Sequence, residues 1–231
     1  MYRDFAAAVR VTDGTALARA ASQGRLVFEG AQGVLLDEWR GLHPHTTWST
    51  VEPRNARAMI AGIGGTARVL GVTRTYMTRH GAGPLPTEAP LGHPEPHNDT
   101  GHYQGVFRQG HLDPILLRYA VEVCGGIDGL VVNHLDAAGT GCAAVAYETD
   151  AGAVTELVPG PWRDLDHQRR LTERLFVATP ILEPVVGDPA WWLGRRLGVP
   201  VVLTGHGPDR RDRVLRRSPV GVAAAVAAAR G

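Results

Sequence analysis

Leu130-Val131-Val132 runs directly into Asn133-His134-Leu135-Asp136. Three consecutive aliphatic residues, two of them β-branched, suit a short buried strand, and this one delivers polar side chains at its end. The same reading applies to Leu26-Val27-Phe28, which leads into Glu29-Gly30-Ala31-Gln32-Gly33 and places Gln32 at a strand's C-terminal end. It applies again to Val199 through Leu203, which leads into Gly205-His206-Gly207-Pro208-Asp209-Arg210. Ligands of open α/β sheets bind at such strand ends. Three deliveries of this kind predict one site above a mixed α/β sheet.

Working outward, residues 1–24 read as one or two short helices, and residues 55–69 as a helix interrupted by Gly62, Gly64 and Gly65. Val72 to Thr78 alternates and reads as a strand. From Arg79 to Pro96 the chain is rich in glycine and proline without periodicity, and a polar stretch follows to Gln109. Ordering such a loop costs entropy, so it is expected to be functional or mobile. Asp113 to Val123 predicts a helix with Asp113 as cap and Pro114 in the first turn, stopped by Gly125-Gly126. A hairpin is expected around Asp150-Ala151-Gly152, with helices at 167–177 and 189–197. A single α/β domain over 1–231 is expected, with 218–231 as a loose tail.

The composition is that of a globular chain: 231 residues, 44% hydrophobic and 20% charged. All 24 basic residues are arginine. That excludes a Schiff-base lysine, a lysine general base and a GxxxxGK[ST] phosphate loop within these residues. A net charge of +1 supplies no long-range field for a polyanion, so no nucleic-acid partner is expected. Cys124 and Cys142 cannot build a disulfide framework and suit a reducing compartment. Neither a signal-peptide stretch nor an eighteen-residue apolar window occurs, so a cytoplasmic location without membrane contact is expected. The ten histidines show neither HExxH nor cysteine-pair ligand spacing, and no metal ligand is assigned.

Several residues could carry chemistry. Gln32 after a glycine turn could pair with an amide or purine edge, or merely satisfy nearby backbone. Thr46, Thr47, Ser49 and Thr50 offer hydroxyls to a phosphate, or cap a helix. Arg79, beside Gly81 and Gly83, could set its guanidinium fork on a carboxylate or phosphate, or sit solvated in the loop. Asp136 could accept from a base or ribose, and Asp209 and Arg210 could stitch their own loop.

These stretches resemble adenylosuccinate synthetase. Phe28 to Gly33, Leu35-Leu36-Asp37 with the Thr47 loop, and Thr78 to Glu88 carry the likeness. Gly110 to Val121, Leu135-Asp136 and Gly207 to Arg210 continue it in the family's order, over roughly 24–217. The resemblance implies a P-loop-NTPase-like synthetase fold, N-terminally truncated, with a mixed, largely parallel central sheet and flanking helices. It implies joining of IMP and L-aspartate at the expense of GTP, with Mg²⁺, in a homodimer. Gln32 would be the catalytic contact at the purine 6-position, and Thr47 would bind the IMP phosphate. Arg79, Thr87 and Arg108 would complete the substrate site. Asp136, Gly207 and Pro208 would hold the base of the nucleoside triphosphate.

The chain also departs from the family. The phosphate loop, its general-base aspartate and the acid histidine have no counterpart among these residues. Gly105 and Phe107 stand where carboxylate-binding arginines are expected, leaving Arg108. His134 replaces the lysine of a Thr-Lys-Leu-Asp base-reading turn, so ATP stands beside GTP as donor, as in relatives acting on deoxyguanylate. Three readings stay open: part of a ligase, a non-catalytic nucleotide-binding protein, or one half of a split enzyme completed by a separate N-terminal subunit.

Overall fold

The computed structural model describes residues 2–98, 100–137, 141–150 and 152–216. The expected tail at 218–231 and the hairpin residue Ala151 lie outside them. The chain falls into two units. The first comprises the residues up to Ala31 together with Pro53–Ala67. It holds α1 (Tyr2–Ala8), α2 (Thr15–Gln23) and α3 (Arg54–Ala61). The helix expected over 55–69 ends early because Gly62, Gly64 and Gly65 follow, with Gly64 in the left-handed region at φ 72°.

The strand expected at Leu26-Val27-Phe28 does not form: the segment has no regular structure, and Val27 is 91% exposed. An apolar triplet becomes a strand only where a neighbouring edge accepts its backbone hydrogen bonds, and among the described residues none pairs with it. Gln32 accordingly follows an irregular segment and lies exposed at φ 67°.

The second unit holds the sheets. Its elements are β1 (Leu70–Arg74), β2 (Met77–His80), β3 (Phe107–Gly110), α4 (Pro114–Val123), β4 (Gly129–Asn133), β5 (Cys142–Thr149) and β6 (Gly152–Val154). After these come α5 (Leu165–Phe176), β7 (Thr179–Pro184), α6 (Pro189–Leu197), β8 (Val201–Gly205) and β9 (Arg213–Leu215). One sheet has the order β1-β4-β8-β9, parallel through its first three strands with β9 antiparallel. Strands β2 and β3 form an antiparallel pair, and β6-β5-β7 a third, antiparallel sheet. The mixed α/β class read from the sequence is the class observed.

The strand expected over 72–78 is instead two strands in different sheets. The break falls at Thr75-Tyr76. The Thr75 hydroxyl donates to the His134 carbonyl (2.8 Å), and buried Tyr76 donates to Glu95 (2.6 Å). These anchors turn the chain out of the parallel sheet, which no local pattern announces.

Two cores meet at α4. Ile115, Leu116 and Tyr119 enter one core with Tyr147, Leu171 and Leu175. Leu117 and Val121 pack against the other, built on Leu130, Val132 and Leu193. The helix starts at Asp113, which is fully buried. Its Oδ1 accepts from the Ile115 and Leu116 N–H groups (3.1 Å each), and its Oδ2 accepts from the Tyr147 hydroxyl (2.6 Å). One carboxylate thus caps α4 and ties it to β5.

Burial pushes the Asp113 carboxyl up from 3.8 to about 6, against the hydrogen bonds from Tyr147 and the backbone. Between those values the folded chain keeps a proton that the unfolded chain has released, so this group makes stability fall as pH rises from about 4 to about 6 and contributes no slope above that. Asp113→Asn should remove that part of the slope in urea midpoints measured across the interval. Asp113→Ala should cost about 2–4 kcal/mol at neutral pH, because it removes the cap and strands the Tyr147 hydroxyl.

Candidate functional site

Arg79 and Arg108 stand directly opposite each other in the β2–β3 pair. Like charges in that position repel, and the surrounding groups offset the repulsion. The buried Arg79 guanidinium donates through Nε to the Ala82 carbonyl (3.0 Å) and through Nη2 to the His45 carbonyl (2.7 Å). Arg108 donates through Nη1 to Glu88 Oε2 and through Nη2 to the carbonyls of Gly81 and Gly83, all at 2.7 Å. Both terminal nitrogens of Arg108 are therefore committed to protein partners, while its Nε is buried without one. Arg79 spends two N–H groups on carbonyls and makes no ion pair among the described residues.

Burial, reinforced by the Arg108 charge, lowers Arg79 to about 10, still a cation at neutral pH. Burial first, then the charges of Arg79 and Arg108, also pushes His45 below its usual value. The region consequently carries a positive charge that no carboxylate fully offsets. Gly83 lies against the Arg79 guanidinium at φ 113°, and a Cβ there would overlap it. Glu88 and Arg108 also line an open cavity of about 170 Å³, together with Leu175 and Phe176.

The loop carrying Thr47 is held by Asp37, fully buried. Its Oδ1 accepts from Trp39 (2.8 Å) and Arg40 (2.9 Å), and its Oδ2 from Val51 (2.6 Å) and Glu52 (3.2 Å). The Thr47 N–H bonds to the Leu36 carbonyl (2.8 Å), and Arg79 grips the same loop at His45. Thr87 is a staple: it is buried, and its hydroxyl donates to the His111 carbonyl (2.7 Å).

A second group gathers where the parallel neighbours β4 and β8 end. His134 takes a left-handed conformation (φ 58°), and Asp136 sits exposed in the short turn Leu135–Ala137. Beyond β8, the Gly207 carbonyl accepts from Arg213 Nη1 (2.7 Å), and Pro208 is exposed. Asp209 pairs with Arg211 (3.1 Å) and forms a capping box with Asp212, so it stitches its own loop, although not through Arg210. Asn133 Oδ1 is buried against Gly205 without a hydrogen-bond partner.

The structure thus places Arg79, Thr87 and Arg108 in or beside the β2–β3 pair, ties the loop that bears Thr47 to Arg79 through the His45 carbonyl, and sets Asp136, Gly207 and Pro208 at adjacent strand ends. Gln32 shares no hydrogen bond with either group among the described residues. Sequence reading missed Arg74, Tyr76 and Glu95, which join beside His134. The available signal was Glu95 itself, a lone carboxylate between two prolines in a histidine-rich loop. Among the described residues no three histidine, cysteine or acidic side chains gather to hold a metal ion, and no helix is long and apolar enough to cross a membrane.

The family model for adenylosuccinate synthetase matches residues 2–175. The chain belongs to the adenylosuccinate synthetase family. It is 36% identical over 214 residues to the adenylosuccinate synthetase of Myxococcus xanthus, covering 84% of this chain and 48% of that protein. It is 32% identical over 235 residues to that of Mycobacterium tuberculosis, covering 90% and 52%. The chain therefore spans about half the length of the curated relatives it matches. Among solved structures, fully ligated adenylosuccinate synthetase from Plasmodium falciparum aligns with a TM-score of 0.69 at 20% identity, over 90% of this chain and 54% of that one. The cyanophage S-2L succinoaminodeoxyadenylate synthetase bound to dGMP and dATP aligns at 0.54 and 19%, over 96% and 54%. At these identities the two structures show a shared fold.

Gly83→Ala tests the close approach at Arg79. It forces a side chain into the left-handed region and against the guanidinium, and should cost about 1–3 kcal/mol, read as a lowered urea midpoint.

Proposed function

We propose that this chain is the substrate-reading part of a purine-nucleotide ligase of the adenylosuccinate synthetase type. In this reading it takes IMP or a related monophosphate at the Arg79 group, and the base of a nucleoside triphosphate at the ends of β4 and β8. The reaction joins the monophosphate to L-aspartate while GTP or ATP gives up its terminal phosphate. The observation that carries the reading is the buried Arg79 cation, held by two carbonyls, unpaired among the described residues, and bound to the loop that bears Thr47.

Arg79 is bonded to the His45 carbonyl two residues before Thr47, so in this reading a phosphate held by this loop would find a guanidinium already desolvated and oriented. Gln32 is exposed in a left-handed conformation, and in this reading both its amide functions would serve the purine 6-position. Arg108 and Thr87 hold the wall of that site through Glu88, Gly81, Gly83 and His111.

Magnesium would neutralise the phosphoryl oxygens in transfer. The described residues offer no carboxylate cluster for it, and its ligands and the general base would come from the family's phosphate-loop region. A P-loop-type sheet extension, a homodimer and a cytoplasmic setting belong to the same proposal. A second reading, one subunit of a split ligase, draws on the chain's span of about half its relatives.

Calorimetric titration with IMP and dGMP tests the proposal. Saturable binding should weaken about tenfold or more in Arg79→Gln, the loss expected for one charge-assisted hydrogen bond. Thr47→Ala should weaken it by a few-fold. Absence of saturable binding, or binding indifferent to Arg79→Gln with the fold intact by circular dichroism, would overturn the reading. Adding a family phosphate-loop segment in trans should yield succinyl-nucleotide product if the missing chemistry is all that separates binding from turnover.

A further inference from the structure

The two larger sheets end in the outer strands β1, β9, β6 and β7, and three of these are guarded. Strands β6 and β9 are only three residues long, and β9 opens on Arg213. Strand β7 carries Pro180 and Pro184. Just beyond it, the Val185 N–H donates to the Gly141 carbonyl (2.9 Å) on the β5 side. By alternation both prolines turn toward the outer edge, where they withhold an N–H. Short strands, prolines and charges keep an edge from pairing.

Strand β1 has none of these devices along Leu70-Gly71-Val72-Thr73. The Val69 carbonyl accepts from the Asp128 N–H (2.8 Å) on the β4 side, so by alternation Gly71 and Thr73 also address β4. Leu70 and Val72 therefore direct their N–H and C=O groups to the outer edge, where no described strand pairs with them. Their side chains are 53% and 68% exposed. They share a face with their register partners Gly129 and Val131, opposite the core of Leu130, Val132 and Leu193. On that packed face a Cβ at Gly71 would overlap Ile127. Parallel sheets are ordinarily covered on both faces, whereas β1 is packed on one face and paired along one edge.

We propose that the outer edge of β1 is the docking site for a separate chain carrying the part of the synthetase fold that this chain does not match, whose phosphate-loop strand adds there in parallel. The inference rests on the reading of this chain as one subunit of a split ligase. The chain spans about half the length of its relatives. All its basic residues are arginine, so the lysine of a phosphate loop is supplied by the partner. A phosphate loop is a strand, a glycine-rich turn and a helix. Its strand meets the free backbone of Leu70 and Val72, and its helix covers their side chains. Parallel addition brings the turn to the C-terminal end of β1, where Arg74 is paired in register with Asn133, just before the His134–Asp136 turn. An antiparallel strand would carry the turn to the opposite end of the sheet.

Co-expression of the chain with the part of the Myxococcus xanthus synthetase that it does not match tests this, read by size-exclusion mass and amide hydrogen exchange. A one-to-one complex is expected, with the Leu70 and Val72 amides exchanging about a hundredfold more slowly than in the chain alone. Val72→Lys puts a charge on the face to be covered, and Val72→Pro removes an N–H that the chain alone does not use. Each should weaken association about tenfold or more. Val72→Lys, at an exposed position, should leave the urea midpoint of the chain alone unchanged, and Leu182→Lys, on the guarded β7 edge, should leave association unchanged. No complex, a complex whose Leu70 and Val72 amides still exchange freely, or one indifferent to both Val72 substitutions would overturn the inference. Slow exchange at these amides in the chain alone would overturn it too: a dimer would seat a second copy on the edge, and a monomer would seat the chain's own residues there. Titration with IMP separates this inference from the monophosphate reading. Arg79-dependent binding of IMP without a complex removes the docking site and leaves that reading standing, and a complex without such binding does the reverse.

Discussion

The buried carboxylate of Asp113 is the constraint on which the second unit depends. It caps α4 through two backbone N–H groups and anchors β5 through the Tyr147 hydroxyl, so one side chain sets where two hydrophobic cores meet. Those cores hold β4 and α6 on one side of α4, and β5 and α5 on the other. Desolvation opposes the arrangement and shows as a raised carboxyl pKa. The charge can be kept inside only because every contact offered to it is a donor.

The same logic governs the candidate site. Two arginines placed opposite each other in β2 and β3 would repel in an apolar setting, yet four hydrogen bonds to carbonyls of the 43–47 loop and the 81–83 turn hold them there. Glu88 neutralises Arg108, and Arg79 keeps a surplus of charge. A glycine at position 83 lets the guanidinium close on the backbone. Structural hydrogen bonding and anion affinity are thus properties of one cluster, which is why a substitution there should be read by stability and by binding together.

At the end of β4, Tyr76 donates to Glu95 and its hydroxyl oxygen lies 3.4 Å from His134 Nδ1, so a residue some forty positions away in sequence helps build the surroundings of His134. The proline-rich loop that carries Glu95 is therefore an ordered support of the strand-end turn, tied down by Arg74, Tyr76 and Asn98.

What the sequence determined by itself was whatever the chain settles locally. Asp113-Pro114 announces the start of α4, since a cap and a proline act within one turn, and the structure shows the same pairing, Asp188-Pro189, opening α6. Leu130-Val131-Val132 has a strand's composition and lies in β4 as a buried strand, and the ordered motifs carried the family. Tertiary structure alone decided what depends on a distant partner. Leu26-Val27-Phe28 has a strand's composition but no neighbouring edge to pair with among the described residues. Residues 72–78 split between two sheets because Thr75 and Tyr76 find His134 and Glu95. Arg108, free on paper, is spent on Glu88 and two carbonyls. Hydrogen-bond partners and strand neighbours are chosen in space, and spacing along the chain does not record them.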